Sequence, residues 1–293
     1  MIKVSKEDII KAALSLFSEK GYSSTSVDEI ARKSGMVKAT FYKFFKSKDQ
    51  LLLDTITSIE KDMEKEIEKV YLNLHQSPRE KLTEFYSIAL NRVYQNKMHL
   101  LIFTMFLTEP TDKQIGQAVK QLENNLSMRL LDLMKDLYGH ELKDYYYDII
   151  FVVKSVIISY LRMNESDGHG SENLALPQFI TSITDMLVTG MRDPNNHHEI
   201  LWKPNNLDPE ETNEATTKWK QIGSWLKDIH AQIDALNVEV NEKQDYYRML
   251  DKLREELISV TIDKAHIRAL LLFLEQLPEL RGNCKRIKDS LKL

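Results

Sequence analysis

The sequence is poor in residues that punctuate or cross-link a chain: 293 residues hold nine glycines, seven prolines and one cysteine. A lone Cys284 excludes an intramolecular disulfide, and with no positively charged, apolar leader at the start a reducing cytoplasm is the expected compartment. The scarcity of Gly and Pro, with Leu, Ile, Lys and Glu running on between them, speaks against a strand-rich fold and for an all-α one. No long hydrophobic run is present either. The most apolar stretch, residues 145–163, is broken by Asp148, Lys154 and Arg162, so it reads as a buried interface helix and no membrane anchor is expected. Also missing are a phosphate-cradling glycine loop, a nucleophile elbow and a zinc-spaced Cys or His set, so neither catalysis, a cofactor nor a metal is expected. His197 and His198 are adjacent, which turns them apart, and they read as solvent-exposed.

Charge of one sign is lacking overall, with a net −4, but it is unevenly spread: residues 1–50 carry ten Lys or Arg against six Asp or Glu. A basic end on an acidic body is the electrostatic footprint of a nucleic-acid binder, although a balance of this size is common on solvated faces. The pattern beneath it is more specific. Ser5 with Asp8 caps a first helix, whose Ile10, Ala13, Leu14 and Phe17 form one face before Gly21. Thr25 or Ser26, with Asp28 or Glu29, caps a short second helix carrying Val27, Ile30 and Ala31 inward until Gly35. After that turn, Val37, Phe41 and Phe44 fall on an inner face, and Lys38, Ala39, Tyr42 and Lys43 on an outer one with Thr40 at the boundary. Two short helices joined by a tight turn and resting on a first helix make a helix-turn-helix, whose last helix fits the major groove. Ser47 with Gln50 caps a further helix. Lys46 and Lys48 beside its positive end either hold a phosphate or point into water.

The run from Thr25 to Ala31 and then from Ser34 to Leu51 resembles, in order, spacing and residue type, the DNA-binding signature of the tetracycline-repressor (TetR/AcrR) family. The resemblance implies that Thr25 or Ser26 meets a phosphate, that Lys38, Ala39, Thr40 and Lys43 face base edges or nearby phosphates, and that Tyr42 and Lys48 bind backbone. Two departures stand out. Val37 replaces the usual Ser or Thr cap, and Ala39 replaces a common glycine, offering a methyl for a thymine methyl.

The resemblance implies domains at residues 1–48 for DNA binding and 49–192 for a regulatory and dimerisation bundle; beyond the family's usual length, Pro194, Pro204 and a repeated Pro-Asn-Asn mark a linker at 193–207, and a helical extension follows at 208–293. Helices are expected over about 51–75, 78–96, 100–107, 112–138, 143–163 and 176–189, with the Gly-rich loop at 166–171. The family picture makes the last two a four-helix interface between two copies. Ile150, Val153, Ile157 and Leu161 form one stripe and Ile180, Ile183, Leu187 and Met191 the other, a pattern that core packing inside one subunit satisfies equally. Phe85, Tyr86, Tyr94, Met98, Phe103, Met105, Phe106, Met128, Met134, Tyr147 and Phe151 suit the lining of an effector cavity or an ordinary core.

Beyond the prolines of the linker, Asp208-Pro209 with Glu211 opens a new helix. Trp219, Ile222, Leu226, Ile229, Ile233, Leu236 and Val240 follow coiled-coil spacing, then Tyr246 to Val260 and Ile267 to Leu277 give two more helices, a hairpin or small bundle. The basic finish Arg281, Lys285, Arg286, Lys288 and Lys292 reads as a solvated helix end. Three functions remain open: a repressor released from a palindromic operator by a small molecule, a DNA-anchored regulator whose tail docks a protein partner, and a nonspecific DNA-organising protein.

Overall fold

The computed structural model describes residues 4–95, 113–142, 145–166, 175–193, 195, 199–200, 214–259 and 262–293, and among them every regular element is helical. The expected helix at 100–107, the loop at 167–171, the histidine pair, most of the linker and the Asp208-Pro209 start lie outside these residues, as do Met98, Phe103, Met105, Phe106 and Val260, and the side chains of Tyr94 and Leu161.

The head begins with α1 (Lys6–Lys20), opened by Ser5: its hydroxyl accepts from the Asp8 amide at 3.2 Å and its own amide donates to the Asp8 carboxylate at 2.9 Å. Gly21, at φ +86°, ends the helix in a conformation that side chains resist. Helix α2 (Val27–Lys33) is capped by Ser26 and Glu29, which settles the two options at each place. Helix α3 (Lys38–Phe44) follows the turn at Gly35. Ile9, Phe17, Ile30, Ala31, Phe41 and Phe45 close a core with Leu51, Leu52 and Ile56 of α4 (Lys48–Leu72). The inner face of α3 therefore differs from the expected one: Val37 is 68% exposed, and Phe45, one residue past the helix, fills the core instead.

The body continues with α5 (Pro78–Gln95), α6 (Lys113–Tyr138), α7 (Tyr146–Ser166) and α8 (Leu176–Arg192). Helix α5 packs on α6 and α8, and α7 on α6 and α8. The α5–α8 contact is bolted by polar rungs. Thr83 meets Thr181 at 2.9 Å, Tyr86 meets Thr184 at 3.0 Å, and Arg79 grips Asp185 at 2.7 Å while Tyr138 donates to the same carboxylate at 2.6 Å. Burial pushes the Tyr86 and Tyr138 phenols up, so both keep their protons and remain donors.

The chain divides into two compact units, Met1–Glu64 with Pro78–Leu207, and Lys65–Ser77 with Asp208–Leu293. This redraws the expected boundaries, because residues 65–77, expected in the body, pack with the tail. The second unit holds α9 (Glu214–Ala235), α10 (Val240–Leu257), α11 (Lys264–Leu274), a 3-10 turn Pro278–Leu280 and α12 (Arg281–Leu291). Ile222, Leu226, Ile229 and Ile233 of α9 bury against Tyr246, Leu250, Leu253, Ile267, Leu270, Leu271 and Leu274, and Leu72 from the end of α4 joins them. Val240 does not extend the α9 seam: α9 stops at Ala235, and Val240 opens α10 with 71% of its surface exposed. The basic finish is more than a solvated end, since Leu280, Cys284, Ile287 and Leu291 bury a full apolar stripe. Burial pushes the Cys284 thiol up to about 12, which leaves it without thiolate character at neutral pH.

Candidate nucleic-acid interface

The outer face of α3 is built on a rigid inner one. Phe41 is fully buried, and Tyr42 stands edge-on to its ring, 5.5 Å between centroids, with half of Tyr42 exposed. Lys38, Ala39 and Lys43 are exposed beside it, Thr40 is half-buried, and Lys46 is exposed just beyond the helix. A seven-residue helix is ~10 Å long, which suits insertion into a major groove ~12 Å wide. Lys38 reaches Asp28 at 3.2 Å, but both partners are about half exposed, so the pair is weak and readily exchanged for a phosphate or base. Lys43 and Lys46 carry no hydrogen bond or ion pair among the described residues. Their ammonium groups therefore need no release before meeting an anion.

Three side chains named in the sequence are turned to other work. Lys48 donates to the carbonyls of Tyr22 and Thr25, both at 2.8 Å, and lies 4.2 Å from the Tyr22 ring centroid. Burial pushes its ammonium pKa down, against a smaller opposing effect of Asp49. The Tyr22 hydroxyl donates to Asp49. Lys48 and Asp49 thus latch the start of α4 to the loop between α1 and α2, a structural role that sequence alone did not give Lys48 beside the backbone contact expected of it. Thr25 is 2% exposed and its hydroxyl donates to the Gly21 carbonyl at 2.8 Å, so of the pair Thr25 and Ser26 only Ser26 is at the surface. The Ser26 hydroxyl is itself held, at 2.7 Å from the Glu29 carboxylate. The Lys20 ammonium, and after it the bonds from Ser26, hold Glu29 down to about 2, so this box stays ionised at physiological pH. At the start of α4 the Gln50 amide donates to the Ser47 hydroxyl at 3.0 Å.

Residues 9–55 match the family described as bacterial regulatory proteins, tetR family. Over 99% of its length the chain is 27% identical to the HTH-type transcriptional regulator YuxN of Bacillus subtilis, 99% of which is covered. It is 25% identical to YerO of the same organism, over 92% of this chain and 96% of that one. A solved TerR/AcrR-family regulator from Aquifex aeolicus aligns with 62% of this chain and 96% of its own, at 22% identity and a TM-score of 0.47.

The chain carries the DNA-binding head of the TetR family at residues 9–55. It is a DNA-binding transcriptional regulator, and α2 and α3 are its helix-turn-helix. The tail that distinguishes it in sequence has a counterpart in YuxN, since that alignment runs end to end. Among the described residues no helix is long and apolar enough to cross a membrane.

For a TetR-family head the bare start of α3 is notable: Val37 occupies the N-cap with extended backbone angles and offers no side-chain acceptor. Val37→Ser adds one at an exposed site where nothing must repack, and should stabilise α3 by ~1 kcal/mol. Amide exchange along α3 should then slow by roughly fivefold if it proceeds through local opening; unchanged exchange would mean that the bare cap costs nothing.

The residues expected to line an effector cavity separate. Phe85, Tyr86 and Tyr147 are buried and Met128 is half-buried, whereas Phe151 is 58% exposed on the outer side of α7 and lines no interior. The expected dimer stripes separate as well. Ile150, Val153 and Ile180 have no exposed surface within one subunit and so add no area to a contact between copies, while Ile157, Ile183, Leu187 and Met191 are half-buried. Exposed large apolar side chains among the described residues of these two helices include Phe151 on α7 with Phe179 and Met186 on α8. Alternation at a 3.6-residue period marks an inner and an outer face without saying which is which, and here Ile150, Val153 and Ile180 serve the subunit's own core while Ile157, Ile183, Leu187 and Met191 keep exposed area.

Proposed function

We propose that this regulator is a repressor that binds a palindromic operator as a homodimer and is released by a small molecule held in the helical bundle. The observation that supports it best is the outer face of α3, where Lys43 and Tyr42, with Lys46 just beyond, are presented on a fixed core with no competing ion pair. Two copies meet through the apolar surface of α7 and α8 around Phe151, Phe179 and Met186, which gives the heads the two-fold relation that a palindrome mirrors. The effector acts by favouring a head spacing that misses one half-site, and weakens DNA by its differential affinity for the two states.

Selection of bound fragments from a random DNA pool, with the full-length protein at physiological salt, is expected to return a palindrome. Absence of enrichment, with affinity that depends on salt and not on sequence, would overturn the reading in favour of a DNA-organising protein. A second reading, a DNA-anchored regulator gated by a protein partner of the tail, is favoured by one feature: α4 runs from the head into the C-terminal unit as a single helix.

A further inference from the structure

Arg129 of α6 is 2% exposed, and neither of its terminal guanidinium nitrogens has a hydrogen-bond partner. The acidic group that pairs with it among the described residues, Glu64 of α4, stops 4.0 Å away and is one-third exposed. A guanidinium stays charged at any physiological pH and has five donors to satisfy, so burying it in this state is costly. One turn earlier the same seam is complete, because Asn125 of α6 donates to the Glu60 carboxylate of α4 at 2.6 Å. Glu123 does not serve Arg129 either, being engaged by a second cation, Lys154, which also lies 3.5 Å from the Ser127 hydroxyl. The residues that follow Arg129 are apolar and buried: Leu130, Leu131, Leu133 and Met134. A fixed cation with an empty fork, followed along its helix by buried aliphatic side chains, is matched by a molecule with one carboxylate on an apolar body.

We propose that Arg129 binds the carboxylate of an amphipathic effector, which takes the place that Glu64 only approaches. The inference rests on the effector-release reading and gives it a chemical class and a lever. Two parallel N–H bonds from the guanidinium to the ligand displace Glu64 into water and open one turn of the α4–α6 seam. Helix α4 leads directly into the head, so the ligand is felt where α4 supports α3.

The test uses the full-length protein without DNA. Thermal unfolding is followed with the n-alkyl carboxylates from butanoate to dodecanoate, each against the primary alcohol of the same length. At least one carboxylate should stabilise the wild type more than its alcohol does. Arg129→Gln should remove that difference, weakening the carboxylate about tenfold or more. Arg129→Lys should keep a reduced preference. Glu64→Gln removes the competing anion and should tighten carboxylate binding. If no carboxylate exceeds its alcohol, or if Glu64→Gln leaves affinity unchanged or weaker, the proposal is overturned, and Glu64→Gln decides the matter even where Arg129→Gln fails to fold. Operator release, measured separately, keeps the two readings apart. Release by an uncharged compound alone refutes the role of Arg129 and leaves effector control standing, whereas carboxylate binding that never releases operator keeps the site and refutes the control.

Discussion

Gly223→Ala should destabilise the C-terminal unit by about 1 to 3 kcal/mol, although alanine is the better helix former by ~1 kcal/mol. The reason is a single close approach. A Cβ at position 223 of α9 would stand 2.6 Å from the Tyr71 carbonyl oxygen and 3.3 Å from its carbon. Both atoms belong to the backbone of α4, which has no rotamer to change, so α9 must move off α4 and loosen the packing around Ile222, Leu226 and Leu72. The matching control is Gly282→Ala in α12, where no atom lies within 4 Å of the new methyl. There the loss of backbone freedom in the unfolded chain should prevail, with a gain of ~0.4 to 1 kcal/mol. Thermal unfolding of the two variants should therefore shift in opposite directions. A stabilised Gly223→Ala would mean that α9 does not lie on α4 in this way.

Removing both Lys43 and Lys46 should have the largest effect on DNA. Each lysine withdrawn from a phosphate lowers the slope of log affinity against log salt by ~0.9, so the double alanine variant should bind with a slope lower by ~1.8 per head. Lys48→Met should behave in the opposite way. Its ammonium is spent on two carbonyls, so the slope should hold while the head loses ~1 to 3 kcal/mol of stability from the unpaired acceptors and the freed α4 start. Binding titrations across a salt series separate the outcomes. A slope that falls as far for Lys48→Met as for a single Lys43→Ala would return Lys48 to the phosphate ligands.

The head is legible in the sequence because its signals are local. Ser5 with Asp8, Ser26 with Glu29, and the turns at Gly21 and Gly35 lie within a few residues of what they control, and each appears where the spacing puts it. The role of Lys48 is not legible, because its partners are 23 and 26 residues away, brought near only when α4 folds back on the loop before α2. Thr25 is hidden for a similar reason, its hydroxyl being absorbed by a carbonyl at the end of α1. In the body, periodicity gives α7 and α8 as amphipathic but cannot say which apolar stripe a single subunit consumes. In the tail, Leu280, Cys284, Ile287 and Leu291 keep helical spacing, yet Arg281, Lys285, Arg286 and Lys288 between them give the segment the look of a solvated end. Arg129 carries no sequence signal at all, since an arginine inside an amphipathic helix is ordinarily on its wet side.

The C-terminal unit is built from two stretches of chain, Lys65–Ser77 and Asp208–Leu293, with most of the body strung between them. During synthesis the end of α4 therefore emerges early and has no packing partner from its own unit until α9, with Ile222 and Gly223, has left the ribosome. Leu72 spends that interval uncovered. Any message or protease that ends the chain near residue 208 produces a protein whose connecting helix finishes in a bare apolar tip, so possession of the whole tail becomes a condition that a finished regulator meets and an abortive one does not.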